Sequence, residues 1–281
     1  MTGGATPTTA ELLEFALELA NQADVVTMRY YRTSEIDVQS KADASLVTRA
    51  DLEVEAALRR LIAARFPDHA FLGEEDGLHG GPAATARWIV DPIDGTHSYA
   101  RGIPVWATLI ACQVEGELTV GVASAPALGT RWWAGRELGA WRAPLTYDTS
   151  MGMEESRAGE SERVHVSNIA TIEAAQLLYG SFRLTFDAWD GRAVQVLRAA
   201  WRTRSFSDFW GYCLVAEGSA EAMIEAEISP WDIAAMLVIV EEAGGRLTDL
   251  AGRPTIEAGH AIASNGALHE ELLGRLRPGA R

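Results

Sequence analysis

The chain has 281 residues, and 24 Lys and Arg against 39 Asp and Glu give it a formal net charge of −15. Such an acidic chain is poorly suited to neutralising nucleic-acid phosphates or to binding an anionic membrane, so we expect neither partner. Hydrophobic residues make up 48% of the sequence, which excludes a disordered chain. Cys112 and Cys213 lie in apolar runs and indicate two buried thiols in a cytoplasmic protein.

The first half of the sequence predicts two helices followed by a sheet. The helices are expected at 8–31 and 50–65, where apolar residues recur on one face and Pro67 ends the second helix. Because the connections between its apolar runs are short, the sheet is expected to be mostly antiparallel. Its strands are expected at 36–40, 88–90, 106–114, 118–124 and 131–134.

The second half alternates strand and helix patterns. Before it, residues 144–163 are polar and lack an apolar period, which predicts a mobile loop or an interdomain connection. The predicted organisation is an N-terminal α+β domain at 1–145, a polar connection at 146–162 and a C-terminal α/β domain at 163–281. The later strands are expected at 177–181, 222–228, 246–250 and 261–264, and the helices at 189–201, 209–218, 231–243 and 266–276.

Acidic residues are concentrated at three places next to apolar segments. Glu74 follows one apolar run, Asp91 and Asp94 follow another, and Asp232 begins a strongly apolar helix. Asp91 and Asp94 are three residues apart and can converge on one point beyond the strand. Each place taken alone also fits a turn, a helix cap or a solvated acidic loop.

The segment after Asp94 favours an anion site. Gly95 and Thr96 open a predicted short helix whose free backbone N–H groups suit a phosphate. Carboxylates beside a bound anion repel it unless cations lie between them. Hard cations with oxygen ligands, above all Mg²⁺, remove that conflict.

Together these motifs resemble those of the inositol monophosphatase family, which comprises lithium-sensitive, magnesium-dependent phosphomonoesterases. The resemblance covers nearly the whole chain. It implies a layered α/β/α/β/α sandwich, a homodimer and a small phosphate monoester as substrate. The matching segments are KADASLVTRAD at 41–51, GEE at 73–75, WIVDPIDGT at 88–96 and WDIAA at 231–235.

The resemblance also implies a set of metal ligands. Glu74, Asp91 and the backbone carbonyl of Ile93 would bind a first Mg²⁺. Asp91, Asp94 and Asp232 would bind a second, and a third, weaker ion would also use Glu74. Two to three ions are therefore expected per site, with Li⁺ as an inhibitor.

The same resemblance implies the phosphate and catalytic groups. Gly95 and Thr96 would bind the phosphate through their backbone N–H groups. Asp51 would orient the Thr96 hydroxyl, and these two residues with Glu74 would position a water for in-line attack. Since phosphoryl transfer depends on positioning and charge neutralisation, little further acid–base machinery is needed.

The choice of phosphate ester is expected in the segment before the third acidic cluster. Asp208 stands where inositol-directed members commonly have small or hydroxyl residues, and its carboxylate would suit an ammonium or imidazolium group. Phe209 could pack on an imidazole ring, and Glu225 lies where the family contacts substrate hydroxyls or amines. The pattern resembles the histidinol-phosphate phosphatases of the family, so L-histidinol phosphate is the expected substrate.

Three alternatives stay open at this point. Asp208 could simply cap a helix, with the neighbouring aromatic residues in the core. The enzyme could be an inositol-1-monophosphatase or a broad sugar-phosphate phosphatase, because the metal motif is common to the whole family. A non-catalytic metal-binding or regulatory protein of the same fold is the alternative from a different class.

Overall fold

The chain folds into two main β-sheets with a pair of helices between them and further helices on both outer faces. The computed structural model describes residues 6–41, 45–81, 84–148, 155–187 and 189–277. The layers follow the order α/β/α/β/α, which confirms the predicted sandwich.

Two helices form the first outer layer. Helix α1 (Thr9–Tyr30) begins with the expected capping box, in which Thr8 and Glu11 bond each other's backbone N–H groups. After it, strands β1 (Gln39–Ser40) and β2 (Leu46–Val47) form a small antiparallel pair, so only the end of the predicted strand at 36–40 is present. Helix α2 (Arg49–Arg65) packs beside α1 and against the large sheet.

The large sheet has nine strands and is antiparallel apart from one pair. It contains β3 (Ala70–Gly73), β4 (Gly77–His79), β5 (Ala86–Asp94), β6 (Ala107–Val114), β7 (Glu117–Ala125), β8 (Thr130–Gly135), β9 (Gly139–Asp148), β10 (Glu155–Ala158) and β11 (Glu162–Arg163). The strand order is β10-β9-β8-β7-β6-β5-β3-β4, with β11 also paired to β9. Only β3 and β5 run parallel, as a short helix α3 (Thr96–Ala100) and tight turns make most other connections.

The polar segment at 144–163 extends the large sheet where the structure describes it. Strand β10 pairs with β9, with Ala158 opposite Leu145. Polar residues are compatible with this position because the hairpin lies at a sheet edge. The expected mobile loop is therefore wrong for 144–148, 155–158 and 162–163, which are strand, and residues 149–154 lie outside the described residues. The domain limits at 145 and 163 stay a prediction.

The small sheet lies in the second half of the chain and carries helices on both faces. Its elements are β12 (Gln176–Tyr179), α4 (Phe182–Asp187), α5 (Arg192–Ala199), β13 (Arg202–Arg204), α6 (Asp208–Ala216), β14 (Ala222–Ala226), α7 (Pro230–Glu242), β15 (Arg246–Thr248), β16 (His260–Ser264) and α8 (His269–Leu276). The strand order is β13-β12-β14-β16-β15, with the first three strands parallel. Helices α4, α5 and α8 pack on its outer face.

Helices α6 and α7 fill the space between the sheets. Helix α7 is apolar nearly all round because it contacts both layers. It lies so close to β7 that a Cβ added to Gly121 would be 2.4 Å from the Ala235 carbonyl oxygen. This approach brings the start of α7 to the large sheet. Among the described residues no helix is long and apolar enough to cross a membrane.

Candidate active site

Asp91 and Asp94 come from an irregular end of β5. The sequence predicts that Asp91 ends this strand, but β5 continues to Asp94 through a bulge. Three steps along β5 match two steps along β6 there, so β5 contains one extra residue. The bulge brings two carboxylates three positions apart to the same side of the strand. The Thr108 hydroxyl stabilises it by donating a hydrogen bond of 2.8 Å to the carbonyl of Pro92.

Asp232 joins them from the first turn of α7. The backbone N–H of Ser229 donates to Asp232 Oδ2 at 2.7 Å, which fixes the side chain at the helix start. One oxygen from each of Asp91, Asp94 and Asp232 lies within 4.8 Å of the other two. Three clustered carboxylates are stable as anions only with a counter-charge, and this all-oxygen set fits a hard divalent cation.

The electrostatics of this trio point the same way. Burial raises the pKa of Asp91 and of Asp94 well above its ordinary value, and nearby carboxylates raise both further. Burial also raises the pKa of Asp232 to about 7. Burial and mutual repulsion therefore favour the protonated forms of the trio, and a bound cation favours release of those protons.

The backbone at the start of α6 fixes the Asp94 side chain with a hydrogen bond. Asp208 has a left-handed conformation with φ of 57°, which Asp tolerates better than most residues. The next N–H, that of Phe209, donates to Asp94 Oδ2 at 2.6 Å. The Phe209 ring is fully buried against Trp132 and does not line the cavity beside the site. Its predicted stacking on a substrate ring is therefore not possible in this arrangement, because core packing takes up the ring.

Glu74 lies at the edge of the carboxylate trio. After burial, its charge is the largest cause of the raised pKa of Asp91. Lys41 Nζ lies 2.8 Å from Glu74 Oε1 and 2.7 Å from Glu75 Oε1. Burial opposes the charge of Lys41, but these hydrogen bonds outweigh it and raise the pKa of its ammonium group. Lys41 thus supplies a positive charge next to the predicted metal ligands.

A buried carboxylate on α2 holds the turn that carries Glu74. Glu55 accepts hydrogen bonds from the backbone N–H groups of Glu75 at 2.9 Å and Asp76 at 2.7 Å. The preceding residue, Gly73, has no Cβ, and a Cβ there would be 2.3 Å from the Glu55 carboxyl carbon. The GEE turn therefore keeps its shape through a contact between α2 and the end of β3.

Asp51 and Thr96 do not form the predicted hydrogen bond. Asp51 Oδ2 caps α2 by accepting from the backbone N–H of Thr48 at 2.7 Å and from its hydroxyl at 2.5 Å. The Thr96 hydroxyl instead donates to the Ile93 carbonyl at 2.9 Å. Asp51 Oδ1 is buried without a hydrogen-bond partner, and burial raises the Asp51 pKa to about 7. One oxygen of Asp51 is therefore available for a group that enters the site.

The phosphate segment has the expected local structure. Gly95 precedes α3 with φ of 86°, a conformation that favours glycine, and Thr96 is the first residue of that helix. A Cβ on Gly95 would be 3.0 Å from the Val105 carbonyl oxygen. The chain therefore turns tightly after Asp94, and the predicted phosphate-binding N–H groups follow the carboxylates directly.

A cavity of about 270 Å³ opens beside Asp94 and Asp232. Asp208, Glu225 and Glu227 also line it, and none of its described lining residues is Lys, Arg or His. Burial and, after it, the charge of Asp208 raise the pKa of Glu225 to about 8. The remaining lining residues are Gly180, Ser181, Leu184, Ser205, Ser207, Tyr212, Ala226 and Ile228.

Three side chains around the site had no predicted role in the sequence. Lys41 lies inside a matched motif, but a single Lys in a loop does not indicate its partners. Glu55 follows Asp51 by one helical turn, and that i,i+4 spacing could have placed it on the same face. Tyr212 contacts Glu225 from another element, and no local pattern indicates that pair.

Comparison with known proteins identifies the family. The sequence profile of the inositol monophosphatase family matches residues 8–279, so the chain belongs to this family. Membership makes the chain a phosphoric monoester hydrolase of a metal-dependent family.

Individual relatives are similar over nearly their full lengths. A histidinol-phosphatase of Streptomyces coelicolor is 42% identical, with 94% of this chain and 96% of the relative aligned. A histidinol-phosphatase of Mycobacterium tuberculosis is 41% identical, over 95% of this chain and 98% of the relative. In structure, the extragenic suppressor protein suhB of Bartonella henselae superposes with a TM-score of 0.81 at 26% identity, covering 95% of this chain and 99% of that one.

Proposed function

We propose that the protein is a Mg²⁺-dependent phosphatase that hydrolyses L-histidinol phosphate to L-histidinol and phosphate. The observation that carries the proposal is a cavity that joins a carboxylate metal site to further carboxylates and contains no cationic lining residue among those described. The similarity to two histidinol-phosphatases supports it.

The proposed metal ligands are the residues of the trio with Glu74 and the Ile93 carbonyl. Asp91 can contribute to two ions because the charges of Glu74 and of both other carboxylates of the trio act on it. We propose two to three Mg²⁺ per site. When bound, Mg²⁺ supplies positive charge that lowers the pKa of an attacking water and neutralises the phosphate oxygens.

The remaining residues position the reacting groups. We propose that the N–H groups of Gly95 and Thr96 hold the phosphate and that Glu74 orients the attacking water. The Thr96 hydroxyl would leave the Ile93 carbonyl and donate to the unpaired Oδ1 of Asp51. The same rotation frees the Ile93 carbonyl as an oxygen ligand, so a single side-chain movement completes both parts of the site.

Substrate choice is proposed to depend on charge in the cavity. L-histidinol phosphate carries an ammonium group and an imidazole, and both are cationic when protonated. Asp208 and Glu225 lie beside the trio and can accept hydrogen bonds from these groups. An inositol phosphate brings only hydroxyls to the same carboxylates, so it gains no opposite charge.

A phosphate-release assay tests the function. The enzyme is supplied with L-histidinol phosphate or inositol 1-phosphate in Mg²⁺, with an EDTA control. We expect much higher kcat/KM for L-histidinol phosphate and no turnover in EDTA. Faster turnover of inositol 1-phosphate would instead favour the alternative inositol-1-monophosphatase activity, and no turnover of any ester would favour the non-catalytic protein.

Asp208→Asn examines the charge argument within the same assay. Asn also tolerates the left-handed backbone at this position, so the Phe209 N–H should stay on Asp94. We expect kcat/KM to fall for L-histidinol phosphate and to change little for inositol 1-phosphate. An equal loss on both esters would remove Asp208 from substrate selection.

Three further properties are proposed from family membership. The homodimer is tested by sedimentation equilibrium, inhibition by Li⁺ by titration of the assay, and cytoplasmic location by fractionation of cells that express the protein. A monomer that retains full activity would contradict the first of these.

A further inference from the structure

The hydroxyl of Tyr212 donates a hydrogen bond to a residue that lines the proposed substrate cavity. The side chain comes from α6, and only 1% of the residue is exposed. Its hydroxyl donates to Glu225 Oε2 at 2.8 Å. Burial raises the pKa of the Tyr212 hydroxyl well above its ordinary value, so the group keeps its proton and remains a donor.

The opposite side of the Glu225 carboxylate is closed by the backbone. A Cβ added to Gly180 would be 2.3 Å from Glu225 Oε1, so only glycine leaves room for this oxygen. The Ser205 hydroxyl donates to the Gly180 carbonyl at 2.9 Å and fixes that segment in turn. The carboxylate is therefore held between α6 and the end of β12. Tyr212 donates to one oxygen, the other lies against Gly180, and the Asp208 backbone N–H also bonds the carboxylate.

We propose that Tyr212 is a positioning residue, which fixes the Glu225 carboxylate for the cationic end of the substrate. This inference rests on the proposed function and names a specificity-determining contact for it. Without the hydroxyl, the Glu225 carboxyl could turn away from a bound ammonium group. Tyr212 thus acts on substrate binding and not on the metal site.

Tyr212→Phe removes the hydroxyl and keeps the ring in the core. Because the loss of one such hydrogen bond weakens the positioning of Glu225, we expect about a tenfold rise in KM for L-histidinol phosphate. The kcat in saturating Mg²⁺ should change less than about twofold, since no metal ligand is touched. The KM for p-nitrophenyl phosphate, which lacks a cationic group, should stay the same. An equal change for both esters, or no change in KM, would overturn the proposal.

Tyr30→Phe is the matched control. Tyr30 is 3% exposed, its hydroxyl donates to Glu53 at 2.9 Å, and neither residue lines the cavity. This variant deletes the same kind of hydrogen bond and should leave both KM values unchanged. If it raises the KM for L-histidinol phosphate as much as Tyr212→Phe does, a loss of stability explains the effect and the proposal is wrong.

A double-mutant cycle with Glu225→Gln separates this proposal from the proposed function. The double variant should be no worse than Glu225→Gln alone, because Tyr212 acts through that carboxylate. Losses that add would contradict the positioning role. If the wild type does not hydrolyse L-histidinol phosphate, the proposed function fails, and the same cycle on its best ester still decides whether Tyr212 and Glu225 are coupled.

Discussion

Asp94→Asn should make the metal-free protein more stable and the enzyme inactive. The substitution removes one of three buried charges and keeps an oxygen that can accept from the Phe209 N–H. At a separation of 4.8 Å, two ionised carboxylates repel each other by about 3 kcal/mol at an effective dielectric constant of ~20. Proton uptake relieves part of this repulsion, so we expect a gain of about 1–3 kcal/mol at pH 8.

The size of this stabilisation depends on pH. Burial raises the pKa of Asp94 well above its ordinary value and that of Asp232 to about 7, so both carboxyls bind protons more tightly in the folded protein than in the unfolded chain. A carboxyl whose pKa is raised on folding favours the folded state at low pH and disfavours it as pH rises through that pKa. The stabilisation by Asp94→Asn should therefore be larger at pH 8 than at pH 5.

Urea unfolding in EDTA at both pH values measures the effect. Asp68→Asn, which removes an exposed charge outside the site, is the control and should change stability by less than about 0.5 kcal/mol. In Mg²⁺ the wild type should gain stability, while Asp94→Asn should gain less and lose at least about a hundredfold in kcat/KM. If Asp94→Asn is no more stable than wild type in EDTA at pH 8, like-charge repulsion does not govern this site.

Two further predictions concern residues outside the trio. Gly73→Ala should displace Glu55 from the turn that carries Glu74. It should therefore raise the Mg²⁺ concentration that gives half-maximal activity and lower the Mg²⁺ affinity measured by calorimetry. The control Gly81→Ala, where a Cβ meets open space, should change neither quantity. Burial between Thr248 and Ser264 lowers the pKa of His269 to about 4, below its value of ~6.5 in an unfolded chain. Its contribution to stability is thus present above pH ~6.5 and lost as pH falls towards 4, so His269→Gln should lose less stability than wild type between pH 7 and 4.5 in urea unfolding.

Local sequence patterns predicted much of the fold. Both outer helices of the large sheet were predicted within one or two residues, because their apolar faces and the cap at Thr8 are local features. The polar segment at 144–163 was predicted as a mobile loop or an interdomain connection, but residues 144–148, 155–158 and 162–163 are strand. An edge hairpin gains its stability from pairing with β9, and that partner is not encoded in the segment's own hydrophobic pattern.

The sequence by itself determined the family and indicated which acidic residues are candidate metal ligands. A motif such as Asp-Pro-Ile-Asp-Gly-Thr is contiguous, so its chemistry can be recognised before any contact is known. It did not determine where neighbouring side chains point. Phe209 was expected to meet the substrate, but its ring completes the core while its N–H supports Asp94.

Only the tertiary structure decided which groups share the site. Asp94 lies at the end of β5 and Asp232 lies in the first turn of α7. They meet because α7 packs closely on β7. The bond from Tyr212 to Glu225 likewise joins a helix to a strand. Such contacts depend on how layers pack at the level of single ångströms, and a hydrophobic pattern specifies only which face is buried. The sequence therefore supplied the ligand types, and packing supplied their geometry.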